Sequence, residues 1–404
     1  MRKIRLLLAA VLLFIPFAAC SQEGTKDYFI EFEISQEVYV DGEQISVSER
    51  NKLKEEISAL LFSIEDEVSV EKPDSDVSRI NRAAAGEELI VGEHTYAMLQ
   101  MSENLYARTD GAFSTALYNL SELWKFTPEY EGLYSQTRAE PSEQEIAVAK
   151  AASSISDIRI GQNNTVSKQN GETKLDFGGI AKGYMSDVAA QYIRNAYSGK
   201  TVECTLSVLS NTVFLGQKHD GSLLRGYNIG IENPRKLTTS ASDALFLTGI
   251  HDAAISTSAD TYRFYVYDGK IYSHIIDPAK GKPSDNGVIS ITAIVPLSVP
   301  SAGALADAYS TAGFCMSLTE ALAFYQGLWE ASGTGAVILT ADFRYYVVGD
   351  FSVLNRKDYA HQTAPELEAS TKNVFTYAQA SEASDTVTPC EEELKYIERV
   401  AELS

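Results

Sequence analysis

Lys174-Leu175-Asp176-Phe177-Gly178-Gly179-Ile180-Ala181-Lys182-Gly183 is the stretch from which the chain can be read in both directions. An extended approach gives way to two glycines, which let the backbone come close to a ligand. A helix follows, with Ala181, Tyr184, Ala189, Tyr192 and Ile193 spaced along it. A helix start offers free N–H groups and the positive end of the peptide dipole, a ready seat for an anion. Lys182 adds a point charge there. The bland alternative is a strand-to-helix turn with a solvent-facing lysine. The glycine spacing matches neither the phosphate loop G-x-x-x-x-G-K-[ST] nor the dinucleotide fingerprint G-x-G-x-x-G.

Outward from this stretch, strands and helices alternate without a regular βαβ rhythm. Residues 28–40 alternate apolar and polar and predict a strand. Ser46 or Ser48 caps a helix to about Glu67, with Leu53, Ile57, Leu60, Leu61 and Ile64 on one face and Glu49 at capping-box spacing from Ser46. Residues 71–86 read as a polar loop, His94 to Thr109 as a helix and 127–145 as a charged excursion. From about 200 to 300, short β-rich segments alternate with turns. Pro300 to Tyr325 reads as one Ala-rich helix and residues 335–349 as a closing hairpin around Asp342. A polar stretch over 362–388 is expected to be mobile, followed by a short helix over Glu391–Leu403. No internal repeat is visible. The mixture predicts an α+β fold.

The first twenty residues predict export. Arg2, Lys3 and Arg5 precede an apolar run from Leu6 to Phe17, too short for a comfortable membrane span, and Ala18-Ala19 leads to Cys20. Cys20 sits where a bacterial lipoprotein is cleaved and lipidated; the alternative is an ordinary secretory signal with an incidental cysteine. The expected organisation is a signal peptide over 1–19, a tether over 20–27, a catalytic unit over 28–355 and a partly mobile extension over 356–404. The expected location is lipid-anchored at the outer face of the bacterial cytoplasmic membrane. Of the remaining cysteines, Cys204 and Cys315 lie in apolar stretches and read as buried small hydrophobes. The 404 residues carry 34 Lys+Arg against 55 Asp+Glu, a net charge of −21. Such a surface repels nucleic-acid phosphates. Phosphate chemistry on this chain needs a local device against the general field.

Three further constellations could carry chemistry. Asp307 and Thr311 are spaced i,i+4 on one helix face with Ser310 beside them, and their oxygens suit a hard cation such as Mg²⁺. The alternative is an exposed aspartate and a threonine bonded to its own helix. His274, three residues before Asp277-Pro278, can serve as a proton shuttle or as a structural histidine before a turn. Residues 73–81 are dense in hydrogen-bonding groups and read most simply as a capped helix start.

Taken together, and in this order, the motifs carry a resemblance. The chain resembles the ApbE-like FAD:protein FMN transferases through SDVSRIN at 75–81, TDGAF at 109–113, LDFGGIAKGY at 175–184, IGIENP at 229–234, STSAD at 256–260, YSHIIDPAKGKP at 272–283 and ADAYSTA at 306–312. The resemblance implies a T-fold-like single catalytic unit. It also implies Mg²⁺-dependent splitting of the FAD pyrophosphate, transfer of FMN to a Thr or Ser hydroxyl of an exported acceptor protein, and release of AMP. Some relatives instead hydrolyse FAD to FMN and AMP, and a catalytically weak FAD-binding lipoprotein is a further alternative. By motif match, Asp307 and Thr311 are metal ligands, Ala181 offers its carbonyl and Ser310 stands next to the metal. Ala112, Phe113, Gly178 and Tyr184 lie against FAD, Lys182 stabilises the leaving phosphate and His274 is the catalytic histidine. Some positions depart from the pattern. Glu71 stands where many relatives have an aromatic residue, Ser114 replaces an acidic residue, Leu209-Ser210 replaces two glycines before Asn211, and Ala259 ends the Thr257-Ser258 segment. The metal end of the expected site is intact; its flavin-facing end is altered.

Overall fold

The computed structural model describes residues 31–127, 138–220, 223–232, 234–235, 245–261, 263–355, 374–376 and 383–403. The Cys20 lipidation site and the signal peptide lie outside them. Among the described residues, no helix is long and apolar enough to cross a membrane.

The α+β expectation holds. A ten-stranded sheet runs in the order Val374–Thr376, Tyr345–Val348, Gly335–Thr340, Val288–Pro296, Ala253–Ala259, Asn211–Leu215, Val202–Val208, Tyr39–Val40 and Glu43–Gln44, with Phe32–Ile34 also paired to Val202–Val208. Every pairing is antiparallel except that of Val374–Thr376 with Tyr345–Val348. At the centre, Val288–Pro296 is buried along nearly its whole length, which is why its sequence is almost continuously apolar. From Ser290 onward its residues alternate between two cores, and a register shift between Val288 and Ser290 sets Ile289 outside that alternation. Ile291, Ala293 and Val295 face the helical layer, whereas Ile289 and Ile294 join the core beneath a second, three-stranded sheet of Tyr227–Ile231, Leu245–Ile250 and Ser352–Asn355.

The helical layer begins with α1 (Val47–Val68). Ser46 caps it, its hydroxyl accepting the Glu49 N–H at 3.1 Å. Leu53, Ile57, Leu61, Ile64 and Val68 are buried in a 4-4-3-4 spacing, each fully covered side chain contributing roughly 1.5–3 kcal/mol. The stretch over 71–86 is not a plain loop: Ser75 caps α2 (Asp76–Arg82) by accepting the Ser78 N–H at 3.0 Å. Next comes α3 (Glu93–Arg108). Short helices α4 (Tyr118–Leu123) and α5 (Glu143–Ala151) flank the region expected as an excursion, of which 128–137 lies outside the described residues. The strand expected over 28–40 is split into Phe32–Ile34 and Tyr39–Val40.

The two helices that matter most are α6 (Ala181–Ala196) and α7 (Ala302–Cys315). They cross at Gly183 and Gly303, where a Cβ on either glycine would collide with the other's carbonyl oxygen. The single helix expected over Pro300–Tyr325 is two. It breaks after Cys315, and Ser317 starts α8 (Leu318–Ser332) with a capping box to Glu320. The closing hairpin of Gly335–Thr340 and Tyr345–Val348 is as expected.

The helix at the end of the chain, α9 (Glu391–Leu403), packs on the body. Tyr396 and Val400 bury against Val266. Arg235, fully buried, is gripped by Asp260 at 2.6 Å and by Glu393 of α9. Ahead of it, Asp385 accepts the Thr319 N–H at 3.0 Å.

Candidate active site

The turn that leads into α6 is held from distant parts of the chain. The Asn81 amide pairs both ways with Leu175, accepting its N–H at 2.7 Å and donating to its carbonyl at 2.9 Å. Lys168, 1% exposed, donates to the carbonyls of Asn81, Gly171 and Thr173 at 3.1, 2.7 and 3.0 Å. Burial pushes its pKa down, and the carbonyl cradle satisfies the ammonium's donors. The Asp176 N–H donates to Thr115 at 2.8 Å, so the segment after Phe113 runs beside the glycine turn. Asp176 then accepts the Gly178 N–H at 2.8 Å and closes the turn.

Asp307 of α7 points into the start of α6. It is 3% exposed, and its Oδ2 accepts the Gly183 N–H at 3.1 Å. Gly183 lies in the first turn of α6, where an N–H has no partner within the helix. Asp307 therefore caps a neighbouring helix. Its Oδ1 stands 3.3 Å from the Lys182 ammonium and accepts from Ser256 at 3.3 Å. Lys182 also donates to the Gly178 carbonyl at 2.6 Å, so it is not the solvent-facing lysine of the bland reading. The hydroxyls of Ser310 and Thr311 donate back to the Asp307 carbonyl at 2.9 and 3.0 Å. Ser258 lies 2.9 Å from Ser310 and 3.3 Å from Thr311. Gly179 completes the floor: a Cβ there would meet Phe113 at 3.2 Å and Thr311 at 3.6 Å.

The donors that meet here are all oxygens, with one carboxylate and several hydroxyls, and the Ala181 carbonyl opens the adjoining helix. That set suits a small hard cation that keeps water and substrate phosphate in its shell. Among the described residues, no group of three or more His, Cys, Asp or Glu offers a competing metal site.

His274 follows the strand Lys270–Ser273 and precedes the tight hairpin of Ile276–Asp277 and Lys282–Pro283. Its backbone N–H donates to the Arg263 carbonyl at 2.9 Å, and its Nδ1 lies 3.2 Å from the same oxygen. A carbonyl only accepts, so Nδ1 carries the proton and Nε2 keeps a lone pair. Desolvation of the ring, with the Arg263 and Lys182 charges, pushes its pKa down to about 3. The imidazole is therefore neutral near pH 7, with its Nε2 lone pair unprotonated, and burial makes it a weaker base than a free ring.

The structure thus brings Phe113, Gly178, Ala181, Lys182, Asp307, Ser310 and Thr311 around one junction, with Ala112 beside Phe113. Tyr184 stands apart. Its hydroxyl is 2.9 Å from His94 Nδ1, and the carboxylates of Glu67, Glu93 and Asp187 are its charged neighbours. One turn position separates it from Gly183, enough to direct it to α3 and away from Asp307. Ser256, Arg263, Asn81 and Lys168 were missed as site residues. Alternation in Ala253–Ala259 could have paired Ser256 with Ser258 on one face. The other contacts span too many residues for local spacing to reveal. Leu209, which stands where a glycine was expected, takes φ 50° at the two-residue turn between Val208 and Asn211, a left-handed conformation that the hairpin register demands.

Comparison with known proteins places the chain among relatives. The FAD:protein FMN transferase of Vibrio cholerae is 30% identical over 253 residues, spanning 62% of this chain and 71% of that protein. The FAD:protein FMN transferase of Treponema pallidum is 27% identical over 299 residues, spanning 72% and 77%. The structure of the Vibrio cholerae flavin transferase ApbE superposes with a TM-score of 0.61 at 25% identity, covering 82% of this chain and 99% of that one. The Thermotoga maritima ApbE protein gives 0.63 at 26% identity with the same coverage. The ApbE family pattern itself matches residues 31–334, three quarters of the sequence and all of the α6–α7 junction, and the chain belongs to the ApbE family.

Proposed function

We propose that this chain is a Mg²⁺-dependent FAD:protein FMN transferase that modifies exported acceptor proteins and is held to the outer face of the bacterial cytoplasmic membrane through a lipid on Cys20. The observation that carries the reading is the junction where Asp307, Lys182 and the first turn of α6 meet a ring of hydroxyls. It provides a local seat for a pyrophosphate on a chain of net charge −21. Asp307, Thr311 and the Ala181 carbonyl would hold the metal, with Ser310 and Ser258 beside it. A bound Mg²⁺ supplies Lewis-acid stabilisation of charge on the phosphate oxygens.

The chain's own groups do the rest. The glycine turn and the positive end of the α6 dipole orient the FMN phosphate, although the Gly178, Ala181 and Gly183 N–H groups are already bonded to Asp176, Phe177 and Asp307. The Arg263 carbonyl fixes the His274 tautomer, and Nε2 takes the proton of the acceptor's Thr or Ser hydroxyl. The hydroxyl oxygen forms a bond to the FMN phosphorus, the pyrophosphate P–O bond breaks, and AMP leaves with the bridging oxygen. Lys182 lies where it can meet negative charge on the departing phosphate.

Incubation of the protein with FAD, Mg²⁺ and a candidate exported acceptor tests this. The expected result is flavin that stays with the acceptor after denaturation, in step with AMP release. AMP and free FMN without an acceptor would identify a hydrolase instead. Retained, intact FAD in every mixture would identify a binding protein.

A further inference from the structure

Lys182 does more at this junction than add a positive charge. Its ammonium spans two fixed oxygens, the Gly178 carbonyl at 2.6 Å and Asp307 Oδ1 at 3.3 Å. Asp307 has little other access to charge compensation. It is 3% exposed, its Oδ2 is occupied by the Gly183 N–H, and Ser256 is the other group on Oδ1. A buried carboxylate of this kind requires a paired cation. Lys182 is that cation. Oδ1 is also the oxygen that Asp307 has left to offer a metal.

A divalent ion placed on Oδ1 would sit beside the ammonium, and like charges at such a distance repel strongly in a poorly hydrated site. The metal therefore needs Lys182 to move. The side chain is 27% exposed and flexible, so it has room to move. Its new partner must be an anion at the same turn, because the Gly178 carbonyl anchors it there. A pyrophosphate lying on the glycine turn is such an anion.

We propose that Lys182 is the built-in counter-ion of Asp307, exchanged for Mg²⁺ when the FAD pyrophosphate arrives, so that metal and dinucleotide load together. This rests on the reading of the junction as an FAD and Mg²⁺ site. Coupling of this kind is reciprocal: each ligand strengthens the other by the same factor.

Calorimetric titration of Mg²⁺ into the purified protein, with and without saturating FAD, tests it. FAD phosphates hold metal by themselves, so the deciding comparison is made without FAD. Lys182→Met should bind Mg²⁺ at least tenfold more tightly than wild type and should lose most of the FAD-dependent gain. Its melting temperature should be below wild type and should rise more on adding Mg²⁺. Lys182→Arg keeps the charge and should bind Mg²⁺ alone as weakly as wild type. Equal Mg²⁺ affinity of wild type and Lys182→Met, or tight binding by Lys182→Arg, overturns the counter-ion role while leaving the site reading intact. Absence of Mg²⁺ binding in wild type with FAD present overturns both.

Discussion

Asp187 and Asp307 do the same job at opposite ends of one helix crossing, with different remainders. Asp187, on α6, accepts the N–H groups of Gly303 and Ala304 at 2.7 and 2.9 Å and so caps α7. Asp307, on α7, accepts the Gly183 N–H and so caps α6. The two helices cap each other. Asp187 spends both oxygens on N–H groups, and desolvation still raises its pKa to about 6. Asp307 spends one oxygen on an N–H and leaves the other among Lys182, Ser256 and a ring of hydroxyls. The same side chain caps a helix in both places, but only Asp307 has an oxygen held by side chains that can exchange, Lys182 and Ser256, and on the proposed reading that oxygen is the one offered to a metal.

The sharpest way to break the comparison is to remove each carboxylate in turn. Asp307→Ala should cut Mg²⁺-dependent FAD turnover on the order of a thousandfold, since several kcal/mol of charge stabilisation depend on the metal it would hold. Circular dichroism should still show a folded protein. Turnover within a few-fold of wild type would remove the metal assignment. His274→Ala should slow FMN transfer by about 10²–10⁴-fold while leaving Mg²⁺-dependent FAD binding unchanged. Because His274 is held neutral, the transfer rate of wild type should show no acid limb near pH 6.5; a limb there would mean that the ring protonates freely.

Asp187→Ala should act mainly on stability, costing about 1–2 kcal/mol for the lost cap, read as a lower melting temperature with turnover per folded molecule largely kept. The Asp187 carboxyl also carries a pH signature. Its folded pKa lies above the ordinary 3.8, so the stability linked to its proton is full below about pH 4 and is lost as pH rises through about 6. Wild type should therefore lose roughly 2–3 kcal/mol more than Asp187→Asn between pH 4 and 7 in denaturant titrations. The smallest effect belongs to Leu209. Its left-handed backbone costs an ordinary residue about 1 kcal/mol, so Leu209→Gly should raise stability by roughly that amount.

What the sequence displayed well was local. The Ser46 cap, the α1 stripe, the closing hairpin around Asp342 and the Asp307–Thr311 spacing all depend on neighbours within a few residues. The Ser317–Glu320 box was equally local, yet the Ala-rich run on either side of it read as one helix, because no proline marked the break and the nearest glycine, Gly313, lies inside α7. What was hidden was the pairing of distant segments. Asn81 reaches Leu175 and Gly183 reaches Asp307, and such contacts arise only when α6 and α7 cross. The helix over Glu391–Leu403 was legible and is α9, but the same limit hid where it docks, which depends on Glu393 meeting Arg235 across the body of the molecule. Tyr184 shows the same limit: its motif position says nothing of His94, which its hydroxyl meets at 2.9 Å across the packing of α6 on α3.

The most direct test of the central claim is AMP release from FAD by the purified protein with an exported acceptor, measured chromatographically in Mg²⁺ and in EDTA, for wild type and Asp307→Asn. The account predicts AMP in equal amount to acceptor-bound FMN for wild type in Mg²⁺, and almost none in the other three cases. AMP formed equally well in EDTA or by Asp307→Asn would contradict it.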